Sequence, residues 1–178
     1  NDHDGNSSEE DYSDDEDEGT EGYKPGGYHP VYIGEKFNKN RYTVVQKLGW
    51  GHFSTVWMCH DKSPNTKTPK SNPNSGSFVA MKIQKSASHY REAALDEVDL
   101  LTCITFENTY IQEQLLLPRI EQYKSYIVTL TDHFDHNGPN GKHVCMAFEM
   151  LGENLLGLIK KYRYKGIPIP IVKRIALQ

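Results

Sequence analysis

The stretch Leu48-Gly49-Trp50-Gly51-His52-Phe53-Ser54-Thr55-Val56-Trp57, followed by Phe78-Val79-Ala80-Met81-Lys82, constrains this chain more than any other. Two glycines between a hydrophobic start and a Val-x-Met finish predict a strand, a tight turn and a returning strand, with backbone free to close over phosphates. By itself a Gly-x-Gly in a hairpin is only a turn. The lysine that ends the next apolar run changes the reading, because it can meet the same phosphates.

Downstream, Ala94, Leu95, Val98 and Leu101 recur at helical spacing within His89 to Leu101 and predict one apolar face, which Glu97 borders. A glycine loop, a strand lysine and a helix glutamate in this order resemble the nucleotide-binding lobe of a protein kinase. The family's G-x-G-x-x-G would have a third glycine where this chain has Ser54. An exposed Lys–Glu pair adds only about 0 to 1 kcal/mol of stability, so positioning Lys82 is a better reason for Glu97 than holding the fold.

The resemblance narrows with the words Tyr23-Lys24-Pro25-Gly26-Gly27-Tyr28-His29-Pro30-Val31, Asp132-His133-Phe134, Gly138-Pro139-Asn140-Gly141, His143-Val144-Cys145-Met146 and Phe148-Glu149-Met150-Leu151-Gly152-Glu153-Asn154-Leu155-Leu156. Together they look like the SR protein kinases, serine/threonine kinases of Arg-Ser-rich splicing factors, and most like the fungal members. The match runs from about Tyr23 to Gln178 and departs from the family between Ile104 and Tyr126.

That resemblance implies an α+β kinase small lobe, a five-stranded antiparallel sheet plus one helix, followed by a hinge and the first helices of a large lobe. It divides the chain into a disordered acidic tail (1–22), an N-terminal extension packing on the small lobe (23–41) and a partial kinase domain (42–178). Within the last, 42–148 is the small lobe with insertions at 62–77 and 105–123, 149–152 the hinge, and 153–178 the start of the large lobe. Lys82 and Glu97 are the implied catalytic pair. ATP would be held by Leu48, Gly49, Trp50, Gly51, His52, Phe53, Ser54, Thr55, Val56, Ala80, Lys82, Phe148, Glu149 and Leu151. Leu48, Val56 and Ala80 sandwich the ring, Phe148 gates the space behind it, and the Glu149 carbonyl and Leu151 amide meet the base edge. In any fold the apolar members of this set would also serve as core.

The sequence holds no His-Arg-Asp, no Asp-Phe-Gly and no Ala-Pro-Glu. Catalytic base and Mg2+ ligands are therefore expected beyond Gln178, and this chain alone is expected to be inactive. The implied protein substrates are Arg-Ser-rich splicing factors, for a full-length enzyme that works as a monomer in cytoplasm and nucleus, with no membrane and no direct nucleic-acid partner. A non-catalytic, naturally truncated product that binds nucleotide or a partner is the alternative.

Charge is distributed unevenly. Residues 1–22 carry 11 of the 24 acidic residues and no Lys or Arg, leaving 13 acids against 20 basic residues in the rest. A run so poor in apolar groups cannot offset its chain entropy, so disorder is expected. Ser7, Ser8 and Ser13, each with an acid three positions on, resemble sites for acid-directed kinases. The segment 62–77, with Pro64, Pro69 and Pro73 among Ser, Asn, Thr and Lys, reads as a hairpin insertion, and it lacks the aromatics that nucleic-acid stacking requires. Cys59, Cys103 and Cys145 show no metal-ligand spacing and read as buried free thiols. Strands are expected at Val31 to Ile33, Arg41 to Leu48, Thr55 to His60, Ile127 to Phe134 and Lys142 to Glu149 besides the lysine strand. A helix is expected from Glu153 to Tyr164, and another starting at Pro170.

Overall fold

A computed structural model describes residues 18–63, 77–114, 127–152 and 154–177, with residues 105–114 described by backbone alone. Ser7, Ser8 and Ser13, most of the 62–77 insertion, and 115–123 lie outside the described residues.

Among the described residues nine elements follow in order: β1 (Lys36–Phe37), β2 (Tyr42–Gly51), β3 (Ser54–Asp61), β4 (Ser77–Gln84), α1 (Ser88–Gln114), β5 (Leu130–Gly138), β6 (Gly141–Glu149), α2 (Leu155–Lys161) and α3 (Ile169–Ala176). The strands form one antiparallel sheet of order β1-β2-β3-β4-β6-β5. The five expected small-lobe strands are present, and β1 is added at the edge of β2. Among the described residues no helix is long and apolar enough to cross a membrane.

Both faces of the sheet are covered, so its strands lack a simple apolar-polar alternation. On one face Phe37, Tyr42, Val44, Trp57, Cys59, Val79, Met81, Ile83, Cys145 and Ala147 form a core, with Val31 and Phe134 packed against it. On the other, Val144 and Met146 meet Ala94 and Val98 of α1, flanked by Leu130 and Phe148. The sheet end is tied by Arg41, whose guanidinium donates to both Asp61 carboxylate oxygens at 2.9 Å and to Asp132 Oδ2 at 2.9 Å.

Several expectations are corrected. Val31 to Ile33 is not a strand: the Glu35 amide donates to the Tyr32 carbonyl at 3.0 Å and Gly34 takes φ +85°, so the chain turns before it can pair. Leu95 is exposed, because only Ala94 and Val98 of its turn face the sheet. Cys103, about 140° around the helix from Val98 at 100° per residue, is exposed, whereas Cys59 and Cys145 are buried. α1 continues to Gln114, into the region expected to begin an insertion. Instead of starting at Glu153, α2 starts at Leu155, because Asn154 Oδ1 accepts from the Gly157 amide at 2.8 Å as an N-cap. It ends before Arg163 and Tyr164, which take positive φ.

Candidate functional site

The sheet register assembles the site. Lys82 of β4 lies opposite Val56 of β3 and Met146 of β6, and Ala80 lies opposite Met58 and Phe148. Directly paired residues share a face, so Val56, Met58, Ala80, Lys82, Met146 and Phe148 form one patch, on the α1 side. Gly49 pairs with Val56, and Gly51 with Ser54, which places both glycines on this face one strand further out.

Neither glycine has a positive φ, and a Cβ added at either would meet nothing within 4 Å. Their use is therefore not a left-handed turn. Lacking side chains, they leave open the space beside Val56 and Lys82. Leu48 sits at the register shift between Lys47 and Gly49 and is exposed. Exposed Phe53 and its neighbour His52 form the two-residue turn between the strands.

α1 supplies the counter-charge. Lys82 Nζ donates to Glu97 Oε1 at 2.8 Å and to Oε2 at 2.7 Å. The side chains are 25% and 37% exposed, so the ammonium is held by one carboxylate with its remaining side toward solvent. Val98, beside Glu97, is buried against the sheet and fixes the helix rotation that aims the carboxylate.

At the other edge of the patch β6 ends at Glu149. Its carboxylate accepts from the Thr129 amide at 2.8 Å, and its own amide donates to the Thr129 carbonyl at 3.2 Å, which holds the end of β6 against the approach to β5. Leu151 is 65% exposed. Among the described residues no backbone hydrogen bond engages its amide.

Two of the residues expected to hold ATP fall elsewhere, because strand side chains alternate. Thr55 points into the opposite core, fully buried, its Oγ1 accepting from Trp57 Nε1 at 3.0 Å, so only its backbone belongs to the loop. Trp50, its cross-strand partner, shares that opposite face. Sequence reasoning missed Met58 and Met146 on the site face. Their positions follow from the strand register, and the signal that could have found them is period-2 counting from Ala80 and Lys82 once the strands are aligned.

A small antiparallel sheet, one helix packed on it carrying a glutamate to a strand lysine, and a glycine hairpin in register with that lysine through the strand between them define the small lobe of a protein kinase. Among solved structures, a crystallographic kinase domain superposes with a TM-score of 0.55 at 22% identity, covering 80% of this chain and 33% of that one. No family model matches. Among curated proteins, the serine/threonine-protein kinase SRPK of Physarum polycephalum is 52% identical, over 92% of this chain and 33% of its own length. Protein kinase dsk1 of Schizosaccharomyces pombe is 47% identical, over 90% and 26%, and serine/threonine-protein kinase SKY1 of Saccharomyces cerevisiae 46%, over 88% and 19%. The chain is thus similar over about nine-tenths of its own length to serine/threonine protein kinases of the SRPK kind, and it spans a third or less of the length of these relatives.

Proposed function

We propose that this chain is the ATP-binding part of a serine/threonine protein kinase whose full-length form phosphorylates serines in Arg-Ser-rich splicing proteins. The observation that carries the reading is the Lys82–Glu97 pair, set in register with Val56 and, one strand further out, with the open Gly49. This donor set fits a nucleotide. The lysine ammonium offers charge to phosphate oxygens, the glycine hairpin offers backbone without side chains, and Leu48, Val56 and Ala80 offer an apolar surface for a ring. Glu149 and Leu151 offer backbone to the base edge, and Phe148 closes the depth behind Ala80.

When bound, ATP supplies the transferable γ-phosphoryl group. Glu97 keeps the Lys82 ammonium in place, and the lysine orients phosphate. The one stretch with catalytic-loop spacing, His133-Phe134-Asp135 with Asn140, lies on β5 and the turn after it, where Asp135 is paired with Arg91 and Lys142, so in this reading the base and the Mg2+ ligands come from the rest of the protein.

The test is phosphoryl transfer from ATP to an Arg-Ser repeat peptide by the full-length protein. Serine phosphorylation is expected, with loss of about 10² to 10³ in kcat/KM on Lys82→Met. No transfer by the wild type, or unchanged transfer by the variant, overturns the reading.

A further inference from the structure

The segment before the sheet makes a set of contacts that converge on the glycine hairpin. Tyr28, 4% exposed, donates its hydroxyl to the Gly51 carbonyl at 2.8 Å across 23 residues of sequence. Lys85 Nζ lies 4.4 Å from the Tyr28 ring centroid and 5.3 Å from that of Tyr90 on α1. Tyr90 in turn meets the Phe53 ring at the hairpin tip, 5.7 Å between centroids. The Lys85 amide donates to the Phe53 carbonyl at 2.9 Å. The hairpin tip is thus fixed from two sides, by Tyr28 and by the first turn of the helix that carries Glu97.

The same segment is itself anchored. The Gly27 and Gly26 carbonyls accept from the Ser86 and Ala87 amides at 3.1 and 2.9 Å, at the junction of β4 and α1. The Gly26 amide donates to the Asn140 carbonyl at 2.9 Å, and Asn140 Nδ2 donates to the Tyr28 carbonyl at 2.6 Å, at the β5–β6 turn. Gly27 leaves no room for adjustment, since an added Cβ would lie 2.0 Å from the Gly22 carbonyl oxygen. Burial raises the Tyr28 pKa, which keeps the phenol protonated and able to donate.

We propose that residues 22–28 are a clamp that sets the height of the glycine hairpin over Lys82 relative to the Glu97 helix, with Tyr28 as the positioning residue. The reach of the glycine loop toward phosphate is then fixed by a segment outside the nucleotide site. The role in ATP use rests on the reading given under Proposed function.

The test uses the full-length protein and Tyr28→Phe, which removes one hydroxyl and keeps the ring over Lys85. Loss of one neutral hydrogen bond predicts a rise in KM for ATP of about 2- to 10-fold, with kcat and KM for the Arg-Ser peptide unchanged and the unfolding temperature lowered by a few degrees at most. Backbone amide exchange in residues 49–53 of nucleotide-free protein is expected to accelerate by a similar factor. Unchanged KM for ATP in an active enzyme overturns the positioning role, and unchanged exchange overturns the clamp. Should the wild type transfer no phosphate, the proposed function falls, and the exchange measurement still decides whether the clamp exists.

Discussion

Substituting alanine at Gly51 and at Gly138 separates a glycine kept for the site from one kept for the fold. At Gly138 an ideal Cβ would lie 2.3 Å from His29 Nδ1, 2.8 Å from Cε1 and 3.4 Å from His143 Cδ2. The His29 ring would have to retreat by about 1 Å to reach ordinary contact distance. It has nowhere to go, being 4% exposed and ringed by Phe37, His136 and His143. Moving it also stretches the 2.9 Å contact between His29 Nε2 and Glu35 Oε1. Overpacking costs about 1 to 3 kcal/mol, and the lost hydrogen bond about 1 kcal/mol more. Gly138→Ala is therefore expected to cost about 2 to 4 kcal/mol. At Gly51 the new methyl meets nothing and φ is ordinary, so Gly51→Ala is expected to leave stability within about 0.5 kcal/mol. Its methyl enters open space on the face of the sheet that carries Lys82, and ATP affinity is expected to fall. Thermal unfolding and nucleotide titration of both full-length variants provide the assay. A Gly138→Ala protein as stable as wild type, or a Gly51→Ala protein that is destabilised yet binds ATP normally, refutes the reasoning.

Three other outcomes are expected. Glu97→Gln keeps a hydrogen-bond acceptor but removes the charge that holds Lys82; since both side chains are partly solvated, stability should change by about 1 kcal/mol or less while kcat/KM drops on the order of 100-fold, checked by unfolding and steady-state kinetics. Burial lowers the pKa of His136 and of His143 below the ordinary imidazole value. Their stability contribution is therefore intact above about 6.5, declines as pH falls below that, and is fully lost once the pH has passed the folded-state values. A thermal midpoint that holds steady from about pH 7 to 5 contradicts this. Cys103 is exposed, whereas burial pushes the Cys59 thiol up to about 12 and raises Cys145 as well. A thiol reagent followed by peptide mass spectrometry should label Cys103 and spare the other two.

The order of the elements was legible because glycine pair, strand lysine and helix glutamate, each ambiguous alone, occur together in one order. Geometry beyond order was less so. Thr55 and Val56 are adjacent in a motif, and only the pleat, which sends one to the core and the other to the site, tells them apart. Val31 to Ile33 has strand composition, yet Gly34 and the Glu35 carboxylate close a turn there. Leu95 and Ala94 look equivalent on a helical wheel until the sheet fixes which one it meets. The Tyr28–Gly51 contact joins residues far apart in sequence, and no local pattern announces it.

The most direct measurement of the central claim is labelling of the full-length protein with an acyl-phosphate derivative of ATP, which transfers its acyl group to an amine held beside the phosphates. Peptide mass spectrometry is expected to find Lys82 acylated in preference to Lys85 and the exposed lysines, with excess ATP suppressing the label. Acylation that spares Lys82, or that ATP does not suppress, would contradict the assignment of this face as the nucleotide site.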